Sequence, residues 1–317
     1  KFLYHIFKIN IILRIQLINR YLSMRNFLLF LSTLTCWAPT WYLIKFQFGI
    51  VDPIVSVFYR FFLAGLILFV ILLIAKKNMI FRIRDHARFA ALGVALFSLN
   101  YIFFYSANTY LISGIVTVAF SSILIMNILG ERIYFGVISS KKTWLAAGLG
   151  ILGIFIIFQK EILAFESSNN MHLGIAFSFI ATFWASTGNL LHQSNFKNKI
   201  PFFPSLSYGM IYGSLFSLMI AKYRGAELIF DFSASYVFSF LYLVIFGSVI
   251  AFYLYLNLLE RIGSARAGYI GVVMPIVALS ISTVFEGLQW TENLIYGLPI
   301  LIVGCVLILD QKSKSEL

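Results

Sequence analysis

Few side chains in this sequence could do chemistry, and most of those are neutral. Arg60 stands in the apolar stretch PIVSVFYRFF, about 10 Å from the start of its run at 1.5 Å per residue, and is the charge deepest from a helix end. Facing a helix bundle, a guanidinium would attract a carboxylate or phosphate; facing lipid, it would snorkel to the interface. Both readings stand at this point. Ser113, Thr117, Ser121, Asn127 and Glu131 fall within about 120° of one another on a helix, giving one polar face. A second arc holds Ser264, Gly268, Gly271, Pro275, Ser282 and Glu286. Pro275 lacks an N–H and would kink its helix, freeing a carbonyl near mid-membrane. Such irregularity survives in a bilayer where it is buried or faces a wet cavity. Gly268 and Gly271 would then act with Pro275 as a hinge; close helix packing is the other use of such small residues.

Aromatic residues beside polar groups suggest a pocket with apolar walls and a few polar anchors. Trp37 and Trp41 stack at i, i+4, Tyr101 follows Asn100, and Tyr253 lies four residues before Asn257. Taken singly, each also fits an interface anchor or a packing residue. No GxxxxGK loop is present, so this chain has no ATP-binding motif. Glu131 and Glu286 fall near helix ends and every Asp lies in a loop or terminus, which leaves a central carboxylate exchanging protons for drug cations unsupported. His5, His86, His172 and His192 lack metal-ligand spacing, and Cys36 and Cys305 sit in separate expected helices. We therefore expect no catalytic residue, metal or cofactor.

The elements that must position these residues are membrane spans. The chain has 317 residues, 61% hydrophobic and 11% charged, with a mean hydropathy of +0.91; globular proteins carry roughly 25% charged residues. Ten apolar runs can each cross the bilayer as a helix: 27–44, 54–75, 89–107, 111–135, 143–158, 172–191, 205–221, 236–257, 265–285 and 293–309. The connections are too short for a soluble domain. The net charge of +12 is sorted by side, with 18 Lys or Arg in alternate segments, counting Arg266 at the entry to the span 265–285, against four in the others, Lys45, Lys160, Lys222 and Arg224. The positive-inside rule then puts both termini in the cytoplasm. No basic domain remains for nucleic acid; lipid bilayer and a small-molecule substrate are the expected partners, and oligomeric state is left open. Residues 1–26 read as a basic amphipathic leader, with Met24-Arg25 an alternative start, and 311–317 as a cytoplasmic tail.

An internal repeat organises the spans. Thr35-Cys36-Trp37-Ala38 echoes Thr182-Phe183-Trp184-Ala185 at an offset of 147, and beyond the first loop the offset is 151: Pro53 with Pro204, Ser113 with Ser264, Gly136 with Gly287, Gly153 with Gly304. Residues 27–160 and 171–310 form two five-helix repeats. Because five is odd, the second enters the membrane from the opposite side, which is a secondary-transporter design. The expected fold is thus an all-α integral membrane protein of ten transmembrane helices in two inverted repeats.

The Thr-x-Trp-Ala start of each half, Arg60, SGIVTVAFSS (113–122), MPIVALSIS and FEGLQWT (274–291) resemble EamA-type members of the drug/metabolite transporter superfamily. The resemblance covers nearly all of 27–309 and is greatest to exporters of amino acids and related metabolites. It implies a basket around a central cavity lined by helices 1 to 4 and 6 to 9, with helices 5 and 10 outside. It further implies that Trp37, Tyr101, Ser121, Trp184, Tyr253 and Pro275 lie near the cavity. The acidic residue common after Phe-Gly in the first half is Val137 here. The reading is a transporter of the bacterial cytoplasmic membrane that exports a small metabolite, such as an amino acid, by alternating access. Multidrug efflux is the alternative, and a non-transporting membrane protein would leave the inverted repeat without a purpose.

Overall fold

Apolar runs without a hydrogen-bonding partner strand must satisfy their backbone internally, and helices do so. The structure, a computed structural model, describes residues 24–138, 140–163, 170–262, 267 and 269–309. The leader through residue 23, the tail 311–317, Ser264, Arg266 and Gly268 lie outside the described residues. The helices are α1 (Met24–Leu43), α2 (Pro53–Ile74), α3 (Ile83–Asn108), α4 (Ser113–Phe135) and α5 (Lys141–Leu163) in the first half. The second half holds α6 (Met171–Lys197), α7 (Phe202–Tyr223), α8 (Ala234–Ile262), α9 (Tyr269–Phe285) and α10 (Glu292–Leu309). Seven are long and apolar enough to span a membrane; α5, α9 and α10 carry shorter apolar stretches. Their starts follow local chemistry: Asp52 Oδ1 accepts the Ile54 N–H (2.8 Å), and Pro53 occupies the first turn of α2.

The packing repeats itself across the halves. α1 packs on α8 and α9, and α6 packs on α3 and α4. The pairs α2·α7, α4·α9 and α5·α10 each join an element to its own counterpart, as an inverted duplication requires. α3 and α8 each contain one π-helical segment, Val94–Leu99 and Ile245–Ile250, at the same offset of 151. Gly136 and Gly287, at φ +66° and +67°, end α4 and α9 in the left-handed conformation that lets the chain leave a helix at no steric cost. The first loop is not where the offset settles. α2 and α7 are related by 149, Pro53 to Phe202 and Ile74 to Tyr223, so Pro204 lies inside α7 and is not the mate of Pro53. The extra two residues enter between α7 and α8, where 224–233 stands against 75–82 between α2 and α3.

α5 and α10 meet through small residues. A Cβ on Gly153 would come within 2.7 Å of Leu301 Cα, and one on Gly304 within 2.8 Å of the Ala146 carbonyl. Large apolar side chains elsewhere, Leu66, Val70, Ile71 and Phe238 among them, are exposed on the rim of the bundle, where lipid would cover them. Gly153→Val is expected to force α5 and α10 apart and to lower stability by about 1 to 3 kcal/mol. Thermal unfolding in detergent reads this; an unchanged midpoint would contradict the close contact.

Candidate functional site

Three irregular turns lie at the centre of the bundle, and each carbonyl they release is taken up by a particular side chain. α9 stays helical through Pro275, which has no N–H, so the Gly271 carbonyl four residues earlier loses its usual donor. Ser121 Oγ donates to it at 3.1 Å. Ser121 is available because α4 is itself interrupted: Ser113–Phe120 and Ile123–Phe135 are separate helical segments, with Ser121 and Ser122 as a turn between them. The break in hydrogen-bond pattern therefore falls in α4, opposite the proline.

The π segments work in the same way. In α8 the Ala251 N–H reaches back five residues to Phe246, and the Gly247 carbonyl instead accepts Trp37 Nε1 (3.1 Å) and Arg60 Nη2 (3.2 Å). A Cβ on Gly247 would sit 2.8 Å from Thr40 Cγ2, so glycine is what lets α1 come this close. In α3 the Asn100 N–H reaches back to Ala95, and the carbonyl of Leu96, which corresponds to Gly247, accepts Asn100 Nδ2 (3.2 Å).

These turns surround a narrow cavity of about 50 Å³. Its walls come from α1, α3, α4, α6, α8 and α9. Four pairs of lining residues are related by the offset of 151: Tyr101 and Phe252, Phe104 and Tyr255, Phe120 and Gly271, Ile123 and Met274. Trp37, Thr40, Trp41, Asn100 and Asn189 add an aromatic and neutral polar surface, and among the described residues none that lines the cavity carries a charge. Trp37 packs edge-on to Phe252 (5.2 Å) and against Tyr255 (4.9 Å), and Trp41 packs edge-on to Phe104 (5.0 Å). The cavity is closed about by rings from both halves.

Arg60 is 1% exposed and does not snorkel. Its guanidinium lies over the Tyr101 ring, 4.6 Å from the centroid, and donates to Ser248 Oγ (2.9 Å) and the Gly247 carbonyl as well as weakly to Tyr105. All these partners are neutral, so a full positive charge stands one ring behind the cavity wall. Of the other residues read from sequence, Trp37, Trp41, Asn100, Tyr101 and Gly271 line the cavity. Thr117 is buried and bonds within its own helix to Gly114. Asn127 is fully buried, neither amide atom having a hydrogen-bond partner among the described residues. Trp184 rests edge-on to Phe183, Tyr253 stacks on Phe203 at 5.5 Å, and Asn257 accepts from Arg261, all away from the cavity. Reasoning from sequence missed Asn189, Phe104, Phe252 and Tyr255 among the lining residues. Carrying Tyr101 forward by 151 would have found Phe252.

The two ends of the bundle are tied differently. At one end Lys45 Nζ meets Glu286 Oε1 at 2.6 Å. Ser113 and Ser282 hydroxyls donate to the same carboxylate, and Ser282 Oγ accepts the Gly114 N–H (2.9 Å). Ile112 offers α4 no side-chain cap, so α9 supplies one, with a negative charge at the positive end of the helix dipole. Burial alone would raise the Glu286 carboxyl, but hydrogen bonds from Lys45, Ser113 and Ser282 and the Lys45 charge hold it below the ordinary carboxylate range. At the opposite end His192 Nε2 lies 3.3 Å from Glu260 Oε1. His192 is buried inside α6 rather than at a solvated helix end, and it occupies the position related to Lys45 by the offset of 147.

A duplicated bundle with an aromatic cavity at the junction of its halves defines a polytopic membrane protein of the transporter class. Residues 24–159 and 172–310 both match the EamA-like transporter family, and the chain belongs to that family. It is 22% identical to an uncharacterized transporter of Archaeoglobus fulgidus over 91% of this chain and all of that protein. It is 24% identical to the uncharacterized inner membrane transporter YedA of Escherichia coli K12, covering 86% of each chain. A solved crystal structure superposes with a TM-score of 0.65 at 12% identity, over 88% of this chain and 94% of the other, a likeness of fold.

The pairing of Ser121 with the carbonyl that Pro275 frees can be tested as a cycle. Ser121→Ala should cost about 1 to 3 kcal/mol by leaving a buried carbonyl unpaired. In a Pro275→Ala background the new N–H can reach Gly271, and the same substitution should cost clearly less; equal costs in unfolding experiments would refute the pairing. Glu286→Gln should lower the unfolding midpoint at neutral pH. Because the carboxyl is held low when folded, its stabilisation is full above the ordinary range and fades as pH falls through the folded value. The gap between wild type and Glu286→Gln should therefore close in acid, and a constant gap across that range would count against the assignment.

Proposed function

We propose that the protein exports a small metabolite, most closely an amino acid, across the bacterial cytoplasmic membrane by alternating access through the central cavity. The observation that carries this reading is the cavity's lining: four wall positions recur in both halves at one offset, so an exchange of conformation between halves would re-form the same surface toward the other side. Contacts at both ends of the bundle, Lys45 with Glu286 and His192 with Glu260, are suited to open in turn. The absence of a carboxylate among the described lining residues, with Arg60 behind Tyr101, favours this over efflux of cationic drugs. Both termini face the cytoplasm in this scheme, in line with the distribution of Lys and Arg.

The reading is tested in cells and in reconstituted vesicles. Cells loaded with amino acids as dipeptides should excrete more when they express the protein. Phe252→Ala should reduce that efflux roughly ten-fold, the scale of one altered apolar contact at a binding site, while leaving the amount of folded protein in the membrane unchanged. A cysteine placed at Asn78 in a cysteine-free background should react only from the cytoplasmic face. Efflux indifferent to Phe252→Ala, or labelling of position 78 from outside, would overturn the corresponding part.

A further inference from the structure

Two buried amide oxygens in the cavity wall have no donor among the described residues. Asn100 and Asn189 are 4% and 1% exposed and both line the cavity. The Nδ2 of Asn100 gives its hydrogen bond to the Leu96 carbonyl, which can only accept, so the amide cannot be turned over and its Oδ1 is an acceptor. In the orientation described, the Nδ2 of Asn189 donates to the Tyr255 hydroxyl at 3.1 Å; a hydroxyl can also donate, so of the two amides only Asn100 is fixed by its partner. Neither Oδ1 has a hydrogen-bond partner among the described residues. A buried acceptor left unpaired costs about 1 to 3 kcal/mol, and two of them in one wall ask for a donor that arrives from outside the chain.

We propose that Asn100 Oδ1 and Asn189 Oδ1 receive the ammonium group of a zwitterionic substrate. This inference rests on the cavity being the transport site. The rings of Trp37, Tyr101 and Tyr255 line the same cavity, where a ring face would attract a small cation, and an ammonium supplies one N–H to each oxygen with a third to spare. A cation alone meets the unpaired charge of Arg60 behind Tyr101, whereas a solute that carries its own carboxylate turns that charge into an attraction. The substrate class is therefore an α-amino acid with an apolar side chain. A simple amine or a simple carboxylic acid fits less well, for opposite reasons.

The test is competition against L-phenylalanine counterflow in vesicles reconstituted with the full-length protein, using 3-phenylpropionate, which lacks the ammonium, and phenethylamine, which lacks the carboxylate. Wild type should bind L-phenylalanine at least ten-fold more tightly than either analogue. Asn100→Leu and Asn189→Leu should weaken L-phenylalanine about ten-fold and leave 3-phenylpropionate unchanged. Asn189→Asp keeps an acceptor for which Tyr255 can be the donor, and it should retain L-phenylalanine and improve phenethylamine, which also controls for folding. If the leucine variants weaken both acids equally, or if wild type does not distinguish L-phenylalanine from 3-phenylpropionate, the two oxygens do not read the ammonium, and transport through the cavity stands. If vesicles show no counterflow of L-phenylalanine, the amino acid reading of the cavity fails and takes this inference with it.

Discussion

A helix in hydrocarbon can give up a backbone hydrogen bond only where another group replaces it. The centre of this protein is built on that constraint. Pro275 and the two π turns free the carbonyls of Gly271, Gly247 and Leu96 from their usual donors, and Ser121, Trp37 with Arg60, and Asn100 take them up. Each replacement joins an irregular turn to a residue of the cavity wall or to one directly behind it. Where the replacing side chain sits on another helix, the turn also fixes how the helices meet: Ser121 ties α4 to α9, and Trp37 and Arg60 tie α1 and α2 to α8. The groups that shape the cavity and the groups that hold the bundle together are thus largely the same.

The two halves solve the constraint with different residues at related positions. Asn100 in α3 fills the carbonyl of its own π turn, but its counterpart in α8 is Ala251, which cannot. The vacancy there is filled from α1 and α2, and this is what draws a charged side chain into the interior. In the same way Leu124 of α4 corresponds to Pro275 of α9; the half without the proline carries the broken helix, and its loose turn supplies the hydroxyl that the proline calls for. Asymmetry between the halves is complementary, each departure being answered from the other half.

Much of this could be read from the residues alone. The ten spans follow from hydropathy, the inverted repeat from Trp37 with Trp184 and Gly153 with Gly304, and the cavity residues Trp37, Trp41, Asn100 and Tyr101 from aromatic groups set beside polar ones. Tyr253 and Asn257 were misleading because their spacing of four describes one face of an ordinary α-helix, and the π turn just before them changes which face looks inward. One extra residue in a turn rotates everything that follows by about 100°, enough to put Phe252 and Tyr255 on the wall and Tyr253 against Phe203. Trp184 shares a motif with Trp37 but not its partner, since the related freed carbonyl, that of Leu96, is already taken by Asn100, whereas Gly247 leaves its own open to the close approach of α1. Hydropathy patterns carry no sign of a π turn or of a freed carbonyl; the offset between repeats does, once a single lining residue is known.

The ends of the bundle show how far the duplication extends. Lys45, just past α1, and His192 in α6 hold related positions, yet their carboxylate partners are not related, since Glu286 follows α9 and Glu260 ends α8. Glu286 gathers an ammonium, two hydroxyls and the N-terminus of α4, whereas Glu260 meets an imidazole. In a two-state cycle, the population of each state depends on what differs between its closures. An inverted repeat with equal closures would hold the two orientations of the cavity near balance. In the alternating-access cycle proposed above, unequal closures would bias it, and the end where Glu286 also caps α4 has more hydrogen bonds to break, so a helix terminus and not the cavity wall would set the resting orientation.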